Sequence, residues 1–367
     1  MKAAVLREYG EPLQISEVQL AEPGPGEVRV KVKAAGVCHS DLSVLGGNLP
    51  IPLPAIPGHE GSGVVDAVGE GVTRVQVGDH VVFNWVASCG HCYYCDSGRP
   101  DMCDTAFDLQ VTGTLPDGTT RFSCDSEEVY YFSATSCMAE MTVVPESGVI
   151  PIRRDVPFDR AALVGCAVMT GYGAVVKTAQ VKPGSSVVVI GCGGVGLNVI
   201  QAAKLVGAET IIAIDRVGAK LAKAQQFGAT HVIDASQTDD PFTPVLEWTE
   251  GRGADYAFEV IGRPETIAQA YGLVRKAGMA VVVGVAPPHE EVSINAFSLP
   301  SQTKILTGTW YGQAVPEVDI PLILDLYMEG KLDLDALITG SYSLDQINDA
   351  FAALRSGQAV RSIIRFD

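Results

Sequence analysis

Val187-Val188-Val189-Ile190-Gly191-Cys192-Gly193-Gly194-Val195-Gly196 is the stretch on which the reading of this chain turns. Four consecutive β-branched residues read as a strand, and the glycines after them fit G-x-G-x-x-G with a helical pattern behind. Gly191 permits a tight turn, Gly193 lets the backbone approach a pyrophosphate, and Gly196 allows close packing of helix on strand. A helix starting at Val195 would offer free N–H groups and a partial positive charge to phosphate. A glycine-rich turn without a ligand would carry the same letters, but the flanking strand and helix argue for a dinucleotide. A second strand, Thr210 to Ile214, ends at Asp215, an acid suited to the adenosine ribose hydroxyls and repellent to a 2′-phosphate. NAD is therefore expected over NADP, with Arg216 softening the repulsion.

Outward from this turn, strands alternate with helices. Val195 to Val206 reads as a helix closed by Gly207, and Ala219 to Phe227 as another ended by Gly228. Further strands are predicted at His231 to Ile233, Tyr256 to Val260 and Met279 to Val283. Upstream, Asp159 is placed to cap a helix from Ala161 to about Ala179. Such alternation predicts an α/β doubly wound parallel sheet. The first third differs: Gly and Pro break it into short β-rich runs at Val28–Val32, Gly63–Val68, His80–Phe83 and Met141–Val144, as in a barrel-like β domain. After about Trp310 the alternation stops. Two amphipathic helices, Asp319–Glu329 and Leu344–Ser356, lead to a β-like Arg361–Phe366. The expected organisation is a first domain formed by 1–167 and 315–367, with a nucleotide domain, 168–314, inserted into it.

A length of 367 residues suits two domains, and 47% apolar against 19% charged residues supplies ample core. The net charge of −17 leaves no basic face for nucleic acid and no polybasic patch for a membrane surface. Pro183–Ala203 is uncharged, but its glycines mark strand, turn and helix start rather than a membrane span. Met1–Glu8 has no signal-peptide pattern, so a reducing, cytoplasmic setting is expected.

Nine cysteines are present, four of them within Cys89–Cys103. Cys89-x-x-Cys92-x-x-Cys95 with Cys103 supplies four thiolates for one tetrahedral Zn²⁺, in a lobe of about 86–105. Four sulfurs leave no open position, so this zinc should be structural. A nucleic-acid-binding zinc ribbon has the same spacing but not this acidity. A looser set is Cys38, His59 and Cys166, types that hold a catalytic zinc with one open position. Spacing cannot join residues so far apart, and each also reads as an ordinary buried side chain. Cys124, Cys137 and Cys192 read as small apolar residues.

Together these residues resemble the zinc-dependent medium-chain alcohol dehydrogenase family, in its long form that includes the glutathione-dependent formaldehyde dehydrogenases. Gly36-Val37-Cys38-His39-Ser40-Asp41, Gly58-His59-Glu60-Gly61, the cysteine lobe, Cys166 with Thr170-Gly171-Tyr172-Gly173, and the glycine fingerprint carry the resemblance. Gly284-Val285, Gly308-Thr309-Trp310 and Leu354-Arg355-Ser356-Gly357 extend it over nearly the whole chain.

The resemblance implies a Rossmann domain inserted into a mainly β, GroES-like catalytic domain. It makes Cys38, His59 and Cys166 the catalytic zinc ligands, with Glu60 behind the metal and Asp41 orienting His59. Ser40 would meet the substrate oxygen and start a proton relay, which lacks its usual histidine because Ser43 stands there. His39 and Arg361 would approach the pyrophosphate and Lys220 the ribose. Thr170, Gly191, Gly193, Gly194, Val195, Gly196, Asp215 and Val285 complete the cofactor set. Leu49, Trp85, Phe132 and Val285 would line the substrate pocket. Val111 to Met138 matches the long form. Leu49 and Phe107, however, replace the acid and the arginine that bind glutathione carboxylates there, so a glutathione adduct is not expected. The implied function is reversible hydride transfer between a primary alcohol, aromatic or medium-chain, and NAD, giving an aldehyde, in a homodimer or homotetramer. Two alternatives remain on sequence: a nicotinoprotein with permanently bound NAD and an external acceptor, and a non-catalytic NAD-binding protein that keeps the fold.

Overall fold

The computed structural model describes residues 1–357 and 359–366 and divides the chain into two compact units. Gln358 and the domain end expected at Asp367 lie outside the described residues. The second unit comprises Val168–Gln313 with Gly330–Asp333, and the remainder forms the first. The chain thus returns at Ala314 rather than at residue 315, and Gly330–Asp333 goes back to the second unit: the Asp333 N–H donates to Gln201 Oε1 there at 2.9 Å.

The second unit is built on a six-stranded parallel sheet. Its spatial order is His231–Asp234, Thr210–Asp215, Ser186–Ile190, Ala254–Glu259, Val274–Val282, Ile305–Gly308. Numbered within the unit, that order is 3-2-1-4-5-6, which reverses between Ser186–Ile190 and Ala254–Glu259 and opens a crevice at their carboxyl ends. Val187 to Ile190 are buried, as expected of a strand covered on both faces. The edge strand Ile305–Gly308 was not foreseen, because only half its surface is covered and its sequence shows no clean alternation. The strand expected at Met279 begins at Val274. The charged residues Arg275, half-buried, and Lys276, exposed, hide its start from a hydrophobicity reading.

The first unit centres on the eleven-residue strand Glu27–Val37, which pairs antiparallel with Gly61–Val68, Met141–Pro145 and Arg361–Arg365. His80–Phe83, Val149–Pro151 and Ile338–Ser343 complete this seven-stranded sheet. The C-terminal strand thus places Ile363 opposite Gly36 and locks the end of the chain onto its beginning. The core beneath mixes aliphatic and aromatic side chains, with Val30, Val32, Phe83, Phe122 and Phe351 all close to fully buried.

The helical run Phe158–Thr178 is long and apolar enough to cross a membrane, but most of it is buried inside the protein, as in a core helix. Pro157 precedes it, not Asp159; that acid instead lies in the first turn and binds Arg160 and Arg365. Two π-helical turns interrupt the run, Val164–Val168 and Ala174–Thr178. Such turns often mark functional positions, and the first carries Cys166.

Candidate active site

Three elements of the first unit deliver the dispersed ligand set. Cys38 follows the strand Glu27–Val37 as N-cap of the helix His39–Leu45. Its backbone N–H donates to Asp41 Oδ2 at 3.1 Å, which fixes the turn. His59 precedes the strand Gly61–Val68, and Gly58 N–H donates to Asp41 Oδ1 at 3.0 Å. The same Asp41 oxygen lies 3.0 Å from His59 Nδ1. A carboxylate only accepts, so the proton sits on Nδ1 and Nε2 becomes the ligand atom. One buried carboxylate therefore sets both the Cys38 turn and the His59 ring. Cys166, on its π turn, brings Sγ to 3.2 Å from His59 Nε2. The three donor atoms lie within 4.8 Å of one another, all on buried residues.

The electrostatics there are those of a cation site. The hydrogen bond from Cys166 outweighs burial and holds the Cys38 thiol well below its ordinary range. The same contact, with burial, pushes Cys166 well up. Burial pulls the His59 imidazole down, yet the Asp41 charge and hydrogen bond lift it well above its usual value. Two sulfurs and a ring thus share protons that a divalent ion would displace. Behind them Glu60 is fully buried and its carboxyl is pushed up to about 7 by burial, against the pull of Arg361. Glu60 Oε2 accepts from Ala167 N–H at 3.2 Å, while buried Oε1 has no partner among the described residues. Arg361, 3% exposed, lies 4.0 Å from Glu60 and donates to the Val37 carbonyl at 3.3 Å.

The rings of Phe132 and Trp85 approach His59 edge-on, with centroids 5.2 and 6.2 Å away. Leu49 is half-buried and packs against the core of this unit. Ser40 Oγ lies 3.9 Å from Cys38 Sγ. His39 opens the helix on the surface.

The four-cysteine lobe is local. Cys92 caps the short helix Tyr93–Asp96, and Cys103 caps Asp104–Thr112. All four sulfurs fall within 4.8 Å of one another. Backbone N–H groups, that of Cys95 foremost, lower Cys92 to about 6, and Cys89 N–H donates to Cys103 Sγ at 3.3 Å. Amide donors aimed at sulfur stabilise thiolates, as a closed tetrahedral site requires.

In the second unit, Gly191 has φ +97° and Gly193 caps the helix Gly194–Leu205. A Cβ on Gly196 would sit 1.8 Å from the Gly191 carbonyl, so helix and strand meet as closely as the fingerprint predicts. A Cβ on Gly193 would meet nothing within 4 Å among the described residues, leaving its face open to a ligand. Asp215 ends its strand as expected. Its carboxylate also accepts from Cys192 N–H at 2.8 Å and Val217 N–H at 2.9 Å, bracing the glycine turn. Lys220 lies in the first turn of Gly218–Phe227, Thr170 is half-buried in Met169–Gly173, and Val285 is 51% exposed.

Comparison with known proteins agrees with this geometry. Residues 24–154 match the alcohol dehydrogenase GroES-like domain, and residues 194–327 match the zinc-binding dehydrogenase model. The chain is 39% identical to S-(hydroxymethyl)glutathione dehydrogenase of Paracoccus denitrificans over 100% of its own length and 99% of that protein. It is 41% identical to alcohol dehydrogenase class-3 of Cereibacter sphaeroides, with the same coverage. Among solved structures, benzyl alcohol dehydrogenase from Acinetobacter calcoaceticus superposes with a TM-score of 0.95 at 36% identity, covering 100% of this chain and 99% of that one. The chain belongs to the zinc-dependent medium-chain alcohol dehydrogenase family. It is an NAD-dependent oxidoreductase acting on CH–OH groups. Its two donor sets fit the family's zinc ions: an open three-ligand site at Cys38, His59 and Cys166, and a closed four-sulfur site in the lobe.

Sequence reading of this dehydrogenase missed two features. One is the buried contact of Glu60 with Arg361. The other is the turn Val260–Gly262, which packs Ile261 against Gly191. An acid, Glu259, closing an otherwise apolar strand end was the available signal for the second.

Proposed function

We propose that the chain interconverts primary alcohols, aromatic or medium-chain, with their aldehydes, using NAD as hydride acceptor. The observation that carries this reading is the pair of aromatic rings, Trp85 and Phe132, set edge-on to the ligand histidine. An indole and a phenyl beside the reacting carbon favour a flat or unbranched substituent and disfavour a second one. The similarity to a benzyl alcohol dehydrogenase supports the aromatic preference. Leu49 and Phe107 carry no charge where glutathione-using members of the family carry an acid and an arginine, so this chain is read apart from its relatives named for S-(hydroxymethyl)glutathione.

Cys38, His59 and Cys166 would hold a zinc ion supplying Lewis acidity toward the substrate oxygen, and bound NAD would supply the hydride acceptor. Asp41 holds His59 in one tautomer, and Ser40 receives the alcohol proton at its hydroxyl. Ser43 is no base at neutral pH, so that proton must leave through ribose hydroxyls and water or by another route. Asp215, Lys220, Thr170 and the glycine turn bind the dinucleotide, with His39 at the pyrophosphate. Arg361 serves by holding Glu60 as well as by reaching the pyrophosphate, and Val285 borders the nicotinamide end. A cytoplasmic homodimer or homotetramer completes the reading.

An NADH absorbance assay tests it with benzyl alcohol, hexanol, a bulky secondary alcohol and S-(hydroxymethyl)glutathione. The first two should exceed the others in kcat/KM by about tenfold or more, the scale on which pocket shape discriminates. Preference for the secondary alcohol or the glutathione adduct would overturn it.

A further inference from the structure

We propose that Glu259 is a positioning residue for the cofactor: it pins the turn Val260–Gly262 against the glycine turn and thereby sets the surface that receives the dinucleotide. Glu259 ends the strand Ala254–Glu259, in register with Ile190 on one side and Val282 on the other. It therefore stands where the strand order reverses, at the mouth of the ligand crevice.

The side chain is fully buried. Its Oε1 accepts three hydrogen bonds: from Ile261 N–H at 2.9 Å, from Gly262 N–H at 2.8 Å and from the Thr266 hydroxyl at 2.7 Å. Its main-chain oxygen accepts from Val283 N–H at 2.8 Å and Gly284 N–H at 3.0 Å. Buried Oε2 has no partner among the described residues. Burying a carboxyl group with one oxygen unsatisfied is costly, so stability alone does not favour an acid here.

The turn it holds has no slack. Gly262 has φ +86°, and a Cβ there would come within 2.6 Å of the Val285 backbone. A Cβ on Gly284 would lie 2.1 Å from Gly262 N. On the other side, Ile261 Cγ1 occupies the space 2.7 Å from where a Gly191 Cβ would stand. Displacement of the carboxylate is thus passed through Ile261 to the first fingerprint glycine and through Gly262 to Val285. Neither Ile261 nor Val285 is covered: they are 44% and 51% exposed.

The role rests on NAD binding by this unit, and the test is NADH affinity of the zinc-loaded full chain, read by fluorescence well below each variant's Tm. Glu259→Ala should raise the Kd for NADH about tenfold, the equivalent of about one hydrogen bond. Glu259→Gln keeps an acceptor oxygen and should stay within about twofold. An unchanged Kd in Glu259→Ala, whatever its Tm, assigns Glu259 to stability only and overturns the proposal. So does a Gln variant as weak as Ala. Should Glu259→Ala not fold, Thr266→Val removes one donor to the same oxygen. About threefold weaker NADH binding is then expected, with kcat at saturating NAD unchanged, and an unchanged Kd overturns the proposal. If the unmutated chain bound no NADH, the cofactor assignment would fall and this role with it; failure confined to the variants overturns the positioning role alone.

Discussion

The two metal-binding groups of the first unit solve one problem in opposite ways. The lobe takes four sulfurs from one short stretch, half of it exposed; backbone amides lower Cys92 to about 6, while burial raises Cys95 and Cys103. The other group takes three donors from residues 38, 59 and 166, buries them all, and orders them with carboxylates. A local loop needs only its own turns, so its metal substitutes for a core that so small a lobe cannot build. A dispersed site needs the whole unit to be folded first. In return it keeps one coordination position and a controlled field around it. The first arrangement belongs to stability, the second to chemistry.

Removing one ligand from each group tests that division most severely. His59→Ala should abolish alcohol turnover, by about 10³-fold or more if Lewis acidity supplies several kcal/mol. It should lose about one zinc per chain and shift Tm by only a few degrees. Metal analysis, kcat and calorimetry on one preparation check all three. Cys103→Ala should invert the pattern: one zinc lost, Tm lowered by roughly 10 °C or soluble yield lost, and kcat of the folded fraction at low temperature within severalfold of the parent. If Cys103→Ala lost turnover with Tm intact, the two groups would not differ as argued.

The same contrast explains what could be read beforehand. Cys89-x-x-Cys92-x-x-Cys95 announces itself because ligand spacing within a loop is written in the sequence. So is the turn Gly191–Gly196, whose glycines answer to contacts a few residues away. Cys38, His59 and Cys166 carry no such signal; spacing left them open, and only family resemblance joined them before the structure did. The bracing carboxylates were hardest to see. Asp41 was expected to orient His59, but its grip on the Cys38 and Gly58 amides depends on the fold, as does the burial of Glu60 with Arg361. Edge strand Ile305–Gly308 and the charged start of Val274–Val282 were illegible for a simpler reason: their burial pattern carries no period.

A milder change probes the carboxylate rather than the ligand. Asp41→Asn keeps the shape but offers one acceptor oxygen to the Cys38 amide, the Gly58 amide and the His59 ring together. A fall of about 10- to 100-fold in zinc affinity or turnover is expected. Competition with a chelator reads the former, and Tm should move little. No change in either measurement would mean that His59 is oriented by packing against Phe132 and Trp85 alone.

The smallest effect concerns the start of the helical run that delivers Cys166. Burial raises the Asp159 carboxyl, but hydrogen bonds and charge from Arg160 and Arg365 outweigh it and leave it below the ordinary carboxylate range. A carboxylate depressed in the folded state stabilises above its unfolded pKa, near 4, and that contribution fades as pH falls through the folded value. Asp159→Asn should therefore lower Tm at pH 7 by a few degrees at most, because Arg365 is about half exposed and solvent screens the pair. The gap between parent and variant should begin to narrow below about pH 4 and close only once pH falls beneath the depressed folded value, where the parent acid is itself protonated. The lobe, held by its own local turns, should show no matching change in the chelator resistance of its zinc. A gap that persisted in acid would assign Asp159 to packing instead of charge, and a lobe that loosened with it would show that the local site depends on the distant helix after all.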